Sequence, residues 1–464
     1  MGTRIERDSM GEMQVPDTAY YGAQTQRAVE NFPISGLPIP TGMVRALGMI
    51  KKAAAQANLD LGLLDKERAT AIMNAAQEVI DGKLDDQFPI DVFQTGSGTS
   101  SNMNANEVIG NRASEMMGGQ IGAREPVHPN DHVNKGQSSN DIIPTSIHVA
   151  AAIALAKKLL PALEKLHQAL DKKAKDFDHI LKIGRTHLQD ATPIRLGQEF
   201  SGYAAMVKYG IGRLTHAQEA LGRLAIGGTA VGTGINTHVE FGGRVAKELS
   251  KITGLNFVEA PNHFEAQAAF DGAVEVSGAL KTVAVSLSKI ANDIRWLGCG
   301  PRAGLAELKL PAVQPGSSIM PGKVNPVIAE AMIQTCAQVL GNDVVIALGG
   351  LGGVFELNLM LPLVARNLLE GMEFLAGAVT MFREKLLEGL EPDEDKCADY
   401  IEGSLAMCTS LAPVIGYDAA AAVAKEAFET GKTVRQVARD KNLVAEEELT
   451  RLLDPMSMTK PKGS

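Results

Sequence analysis

Ile142 to Asp176 reads IIPTSIHVAAAIALAKKLLPALEKLHQALDKKAKD. Apolar residues recur at steps of three and four, and Pro144 and Pro161 are its only breaks. The spacing predicts one long helix. Leu196 to about Leu224, Phe264 to Leu297, Val327 to Leu348 and Phe355 to Leu386 repeat the pattern, with the glycines at 349–353 expected to bend or break the chain between the last two. Runs of about 22 to 35 residues exceed the usual ~12 and need continuous partners. A bundle of five fits one protomer, and the apolar faces ask for further burial against other protomers. Composition agrees. The chain is 45% hydrophobic but only 4% aromatic, with one Trp and 18 Met. Its core must therefore be built from Ala, Leu, Val, Ile and Met, which suits close helix packing.

Outward from this middle the character changes. Residues 1–40 are polar and turn-rich, and read as irregular with short strands. Met43 to about Gly62 and Lys66 to Asp81 are helical patterns. Beyond Glu391 a charged boundary, Pro392-Asp393-Glu394-Asp395, leads to short helices and a polar tail. The expected fold is mainly all-α: a mixed N-terminal domain (1–137), a long-helix bundle domain (138–391) and a small helical cap (392–464).

The 464 residues carry 45 basic and 54 acidic side chains, net −9, with the basic ones scattered, so no nucleic-acid footprint is expected. The four cysteines form no C-x-x-C pair, which predicts reduced thiols in a cytoplasmic protein. No secretory signal and no uncharged run of about 18 apolar residues is read, so no membrane partner is expected.

Four polar loops flank the long helices. Thr95-Gly96-Ser97-Gly98-Thr99-Ser100-Ser101-Asn102 precedes a helical run from about Met103 to Met116. Gln137-Ser138-Ser139-Asn140-Asp141 ends an irregular stretch from Arg124 that holds His128, Pro129, Asn130, Asp131 and His132. Gly184-Arg185-Thr186-His187-Leu188-Gln189-Asp190 is a short turn. Gly316-Ser317-Ser318-Ile319-Met320-Pro321-Gly322-Lys323-Val324-Asn325-Pro326 is the richest. A helix beginning at Pro326 with Asn325 as its cap would aim its positive end and Lys323 at one spot. Any one of these loops reads equally well as a connector or an ordinary cap. A phosphate-binding P-loop is excluded, because Gly316 to Gly322 is one residue too long and Val324 stands where Ser or Thr is needed. The glycine-rich Gly227 to Gly234 has no strand before it and is not a dinucleotide loop. Four such loops together, with Glu330 as a partner for His187 and no metal-ligand spacing anywhere, point to acid–base chemistry on a carboxylate without metal or other cofactor.

These motifs carry a resemblance. Ser317-Ser318-Ile319-Met320-Pro321-Gly322-Lys323-Val324-Asn325 resembles the signature of the fumarase/aspartase superfamily. Gly96-Ser97-Gly98-Thr99, Gln137 to Asp141 and Gly184-Arg185-Thr186-His187 are similar to the class II fumarases. Aspartases typically carry Ala for Ser97, Thr for Ser139, Gln for His187 and Ala for Gly322, so all four positions side with the fumarases. The resemblance implies a homotetramer with a 20-helix core and active sites that each combine loops from three chains. It implies reversible hydration of fumarate to (S)-malate, with aspartate ammonia-lyase-type elimination, or an inert crystallin-like protein, as alternatives. It casts Ser317 as the base and Lys323 and Asn325 as the groups that hold the carboxylate and its aci-carboxylate intermediate. His187 with Glu330 would handle the water. Ser97, Gly98, Thr99, Ser138, Ser139, Asn140, Thr186, Ser318 and Val324 would line the substrate. Arg124, His128, Pro129, Asn130 and Asp131 would form a second anion site.

Overall fold

A computed structural model describes residues 2–461. Among these, strands occur only in two-stranded pairs, and everything else of length is helical. The first pair is the hairpin β1 (Thr3–Asp8) and β2 (Gly11–Pro16), followed by α1 (Ala23–Asn31), which the sequence reading leaves irregular. Helix α1 has no side-chain cap of its own. Instead Glu107, buried at 3% exposure, accepts from the N–H groups of Gly22, Gln24 and Thr25 and from the Thr25 hydroxyl.

Helices α2 (Thr41–Asp60) and α3 (Lys66–Ile80) match the sequence pattern to within two residues, and Asp65 caps α3 by accepting from Arg68 N–H. The next helix, α4 (Thr99–Met116), starts four residues earlier than expected and draws most of the Ser/Thr loop into its first turn.

The stretch from Ile142 is continuous, as its spacing predicts, but it begins at Ser139 and is made of three parts. These are α5 (Ser139–Ala154), a π turn over Leu155–Leu159, and α6 (Leu160–Asp176). Ser138 and Asp141 form a capping box at the start. The π turn lies directly before Pro161, which has no N–H to give the ladder. Shifting the bonding phase there keeps Leu155, Leu159, Leu163, Leu166 and Leu170 all buried.

The polar turn at 184–190 is not a plain connector. Strands β3 (Leu181–Thr186) and β4 (Gln189–Arg195) pair antiparallel, and α7 (Leu196–Leu221) follows at once. After α8 (Phe241–Thr253), the expected helix from Phe264 is cut in two. Helix α9 (His263–Ala268) ends at Ala269 in extended backbone, and α10 (Asp271–Leu297) starts afresh. Helix α11 (Val327–Gly350) runs as its pattern predicts. The last long helix begins at α12 (Leu361–Phe382) and not at Phe355, because Gly353–Val354 and Leu357–Asn358 form a small hairpin with Phe355 at φ 52°.

By compactness the chain forms two units. Among the described residues the first takes 2–161, 210–284 and 335–376; the second takes 162–209, 285–334 and 377–461. The core of the first is Ala- and Ile-rich, with Ala46, Leu47, Ile50, Ala53, Ala54, Ile72, Ile109 and Ile147 wholly buried. The second contains a distinct C-terminal cluster around Leu411, Val423, Val437 and Leu449. Two helical stretches, Ser139–Asp176 and Val327–Gly350, are by length and composition apolar enough to cross a membrane, though neither holds the uncharged run of about 18 residues that the sequence reading looked for. Only 33% of the most apolar window of Val327–Gly350 is buried within the chain. All four cysteines are free thiols.

Candidate active site

In the second unit the 316–325 loop is a closed ring. Gly316 N–H donates to the Lys323 carbonyl at 2.8 Å, and Asn325 Nδ2 donates to the Gly316 carbonyl at 2.5 Å. A Cβ on Gly316 would stand 2.4 Å from that Lys323 oxygen, so only glycine closes the ring. Asn325 therefore staples the loop with its side chain and does not cap the helix. Helix α11 begins one residue later than expected, and Glu330 N–H donates to the Pro326 carbonyl. Within the ring, Ser317 Oγ accepts from Ile319 N–H at 3.2 Å and Met320 N–H at 2.9 Å. Two amide donors on one hydroxyl oxygen favour its ionised form. The sequence reading aims Lys323 and the helix start at this spot; the groups that face the oxygen are the loop's own amides.

Lys323, Val324, Asn325 and Pro326 also line a cleft of about 460 Å³ with Arg295, Cys299 and Lys309. Three cations against Asp393, which Lys309 pairs at 3.1 Å, make it a setting for an anion. Ser318 is exposed beside the ring.

In the same unit, His187 and Leu188 are the two central residues of the β3–β4 turn, at φ 56° and 59°. Two successive left-handed residues are the geometry of a type I′ hairpin, normally filled by Asn or Gly. The turn thus thrusts His187 outward, with Thr186 behind it and Leu188 71% exposed. Its base is firm. Both guanidinium arms of Arg185 donate to the wholly buried Glu307 at 2.8 and 2.9 Å, and Lys182 lies 3.5 Å from the same carboxylate. Among the described residues, the side chains of His187, Lys323 and Glu330 have no hydrogen-bond or ion-pair partner within the chain.

The other two loops meet in the first unit. Ser97 Oγ and Thr99 Oγ1 lie 2.9 Å apart across Gly98, which is left-handed at φ 69°. Ser139 Oγ accepts from Asn102 Nδ2 at 3.0 Å, which ties the loop at 96–102 to the loop at 137–141. Ser138 caps α5, and Asn140 Nδ2 donates to the Ala230 carbonyl at 2.7 Å. Asp141 takes N–H groups from Ser138, Gly227 and Thr229. The glycine-rich stretch, given no role from sequence, is thus the floor on which this loop rests. Burial pushes the Asp141 carboxyl up to about 6 against those three amide donors.

Sequence reading also missed Lys51, in the middle of α2. It is wholly buried, and Nζ donates to Asn102 Oδ1, Asn134 Oδ1 and Gln137 Oε1 at 2.8, 2.9 and 2.9 Å. Burial brings its ammonium down to about 7, with Asp141 pulling the other way. The signal was present: Lys51 lies on the stripe of Leu47, Ala54 and Asn58, the buried face of α2.

Of the expected second anion site, Arg124 is left-handed at φ 58° and donates to the Arg7 carbonyl. His128 Nδ1 accepts from Asn130 and Asp131 N–H and lies 3.4 Å from the Asp131 carboxylate, capping a π turn over Pro129–Val133. Here His128 holds its own turn. Among the described residues no group of three or more His, Cys, Asp or Glu is placed to hold a metal ion.

The family model described as "Lyase" matches residues 11–341, and "Fumarase C C-terminus" matches 407–460. A fumarate hydratase class II from Halobacterium salinarum is 59% identical, over 98% of this chain and 97% of its own. The mitochondrial fumarate hydratase of Homo sapiens is 52% identical, over 99% and 90%. Among solved structures, the class II fumarase of Schistosoma mansoni superposes with a TM-score of 0.97 at 40% identity, over 99% of this chain and all of that one.

Proposed function

The chain belongs to the class II fumarate hydratase family, and on that premise we propose how its residues interconvert fumarate and (S)-malate. It is a hydro-lyase. The observation that carries the assignment of roles is the ring at 316–325, which aims two amide donors at one serine oxygen.

In dehydration, Ser317 as alkoxide takes a proton from C3 of malate. The electron pair left behind spreads into the adjacent carboxylate, giving a dianionic aci-carboxylate. Lys323 and the second N–H of Asn325 stabilise that charge. The pair then returns to form the C2–C3 double bond as the C2–O bond breaks, and His187 gives its proton to the departing hydroxyl, which leaves as water. Glu330 orients His187. Hydration runs the same path backwards, with His187 accepting a proton from water. Each preorganised donor on a developing oxyanion is worth on the order of 3 kcal/mol, so Ile319 and Met320 N–H together supply much of the activation of Ser317. Ser97, Gly98, Thr99, Ser138, Ser139, Asn140, Thr186, Ser318 and Val324 bind the substrate, and Arg124, His128, Pro129, Asn130 and Asp131 hold a second anion. No cofactor takes part.

Among the described residues the side chains of His187, Lys323 and Glu330 have no partner, which supports a homotetramer whose sites join loops from different copies. Of the domain division 1–137, 138–391 and 392–464, the boundary at 391/392 falls in the gap between the two matched family segments, while the one at 137/138 lies within the first segment. Four free thiols favour a reducing compartment, the cytoplasm.

Loss of the ultraviolet absorbance of fumarate tests the reading. Wild type is expected to consume fumarate without ammonium; strict dependence on ammonium would replace hydration with ammonia addition. Ser317→Ala is expected to lose at least about 10³-fold in kcat with its oligomeric state unchanged. Disassembly would instead make Ser317 architectural.

A further inference from the structure

Lys51 is an ionisable group wholly enclosed in an Ala- and Ile-rich core, and among the described residues no carboxylate lies within hydrogen-bond reach of it. Burying such an ammonium costs several kcal/mol unless every donor is satisfied. Here every donor is: three protons meet three amide oxygens, on Asn102, Asn134 and Gln137. Those acceptors come from two separate places, the first turns of α4 and the run into α5. Each is itself fixed. Asn102 Nδ2 donates to Ser139 Oγ and to Asn134 Oδ1, at 3.0 and 3.3 Å. Asn134 Nδ2 donates to the Gln137 carbonyl at 3.2 Å, and Gln137 Nε2 donates to the carbonyls of Val133 and Lys135. Without the ammonium, Asn102 Oδ1 and Gln137 Oε1 lose this donor together and Asn134 Oδ1 keeps only the Asn102 amide at 3.3 Å. Among the described residues no other side chain of α2 hydrogen-bonds both loops, since Asn58 reaches only the Lys135 carbonyl.

We propose that Lys51 is a positioning residue for the reaction: it clamps Asn102, Asn134 and Gln137, and through Asn102 sets the hydroxyl of Ser139 and the neighbouring amide of Asn140 against the dicarboxylate. This rests on the reading that Ser139 and Asn140 touch substrate. The clamp acts on where the loops stand, so its loss falls on substrate binding more than on proton transfer at Ser317.

Steady-state kinetics of the full-length Lys51→Met and Ser139→Ala enzymes decide the matter, with thermal unfolding measured alongside. Lys51→Met keeps the length and apolar stem while removing the donors. It is expected to raise KM for fumarate about tenfold or more while kcat falls less than about threefold. Ser139→Ala is expected to raise KM as well. If Ser139→Ala raises KM and Lys51→Met lowers only the unfolding temperature, Lys51 is merely structural and the proposal is overturned. If Ser139→Ala leaves KM unchanged, the substrate-contact reading fails and takes the proposal with it. Should Lys51→Met not fold, Asn134→Leu removes one acceptor and the tie to Gln137. A rise in KM of about threefold or more in that variant supports the clamp, and an unchanged KM overturns it.

Discussion

At Gly316 the chain has no room for a Cβ, since the Lys323 carbonyl and the Asn325 amide would stand 2.4 and 2.8 Å from it. Gly316→Ala must therefore open the ring that holds Ser317 Oγ under its two amide donors. Displacements of about 1 Å at a reacting group cost on the order of 10²-fold in rate. Gly316→Ala is thus expected to lower kcat about a hundredfold, with an unfolding temperature close to wild type because the loop lies largely outside the core. An unchanged kcat would mean that the ring does not position Ser317. The identities of such residues were legible in the sequence: Ser317, Lys323, Asn325 and His187 stand out in four polar loops. Their pairings were not. The sequence points a helix start and a lysine at this loop, whereas the donors on the serine are backbone amides, which every residue but proline carries. For the same reason Asn325, a plausible cap by position, turns out to be a staple.

At the scale of elements, periodicity located every long helix but missed where local chemistry interrupts it. Asn358 shows why. Its Oδ1 accepts from Met360 N–H and its Nδ2 donates to the Gly349 carbonyl, so a buried amide closes a hairpin where the apolar pattern continues unbroken. Helix α5 carries a titratable group that shapes acid stability. His148 stacks on Phe270 at 5.7 Å, its Nδ1 bonds the Arg223 carbonyl, and burial brings its pKa down to about 4. Unfolded, the imidazole titrates near its ordinary 6.5. Between about pH 6.5 and pH 4 the unfolded chain therefore binds a proton that the folded chain does not, and stability falls as pH falls through that window. The loss attributable to His148 is on the order of 3 kcal/mol. His148→Gln is expected to flatten that part of the stability curve measured by denaturant unfolding from pH 7 to pH 4. An identical slope in the variant would assign the acid sensitivity to other groups.

At the scale of the whole molecule, what the sequence implied most strongly was a need for partners. Helix α11 leaves Val344 and Leu348 each 58% exposed, and Leu351, just beyond its end, is 80% exposed. Val285, Trp296 and Phe374 are exposed on α10 and α12. Apolar surface of this extent on long helices is what association between copies covers. The outward turn bearing His187, and Lys323 and Glu330 with no side-chain partner among the described residues, fit the proposed tetramer, in which one chain's histidine serves another chain's serine. Hybrid tetramers test that arrangement directly. Ser317→Ala and His187→Asn are each expected to be nearly inactive alone. Mixed in equal amounts, dissociated and reassembled at random, they give sites that draw His187 from one chain and Ser317 from another. Both residues are then wild type with a probability of about one half times one half, so about a quarter of wild-type activity returns. If His187 and Ser317 of one site came from the same chain, every site would keep one defect and no activity would return. The regained fraction, measured as fumarate hydration per tetramer, thus separates a shared site from a private one without reference to any bound ligand.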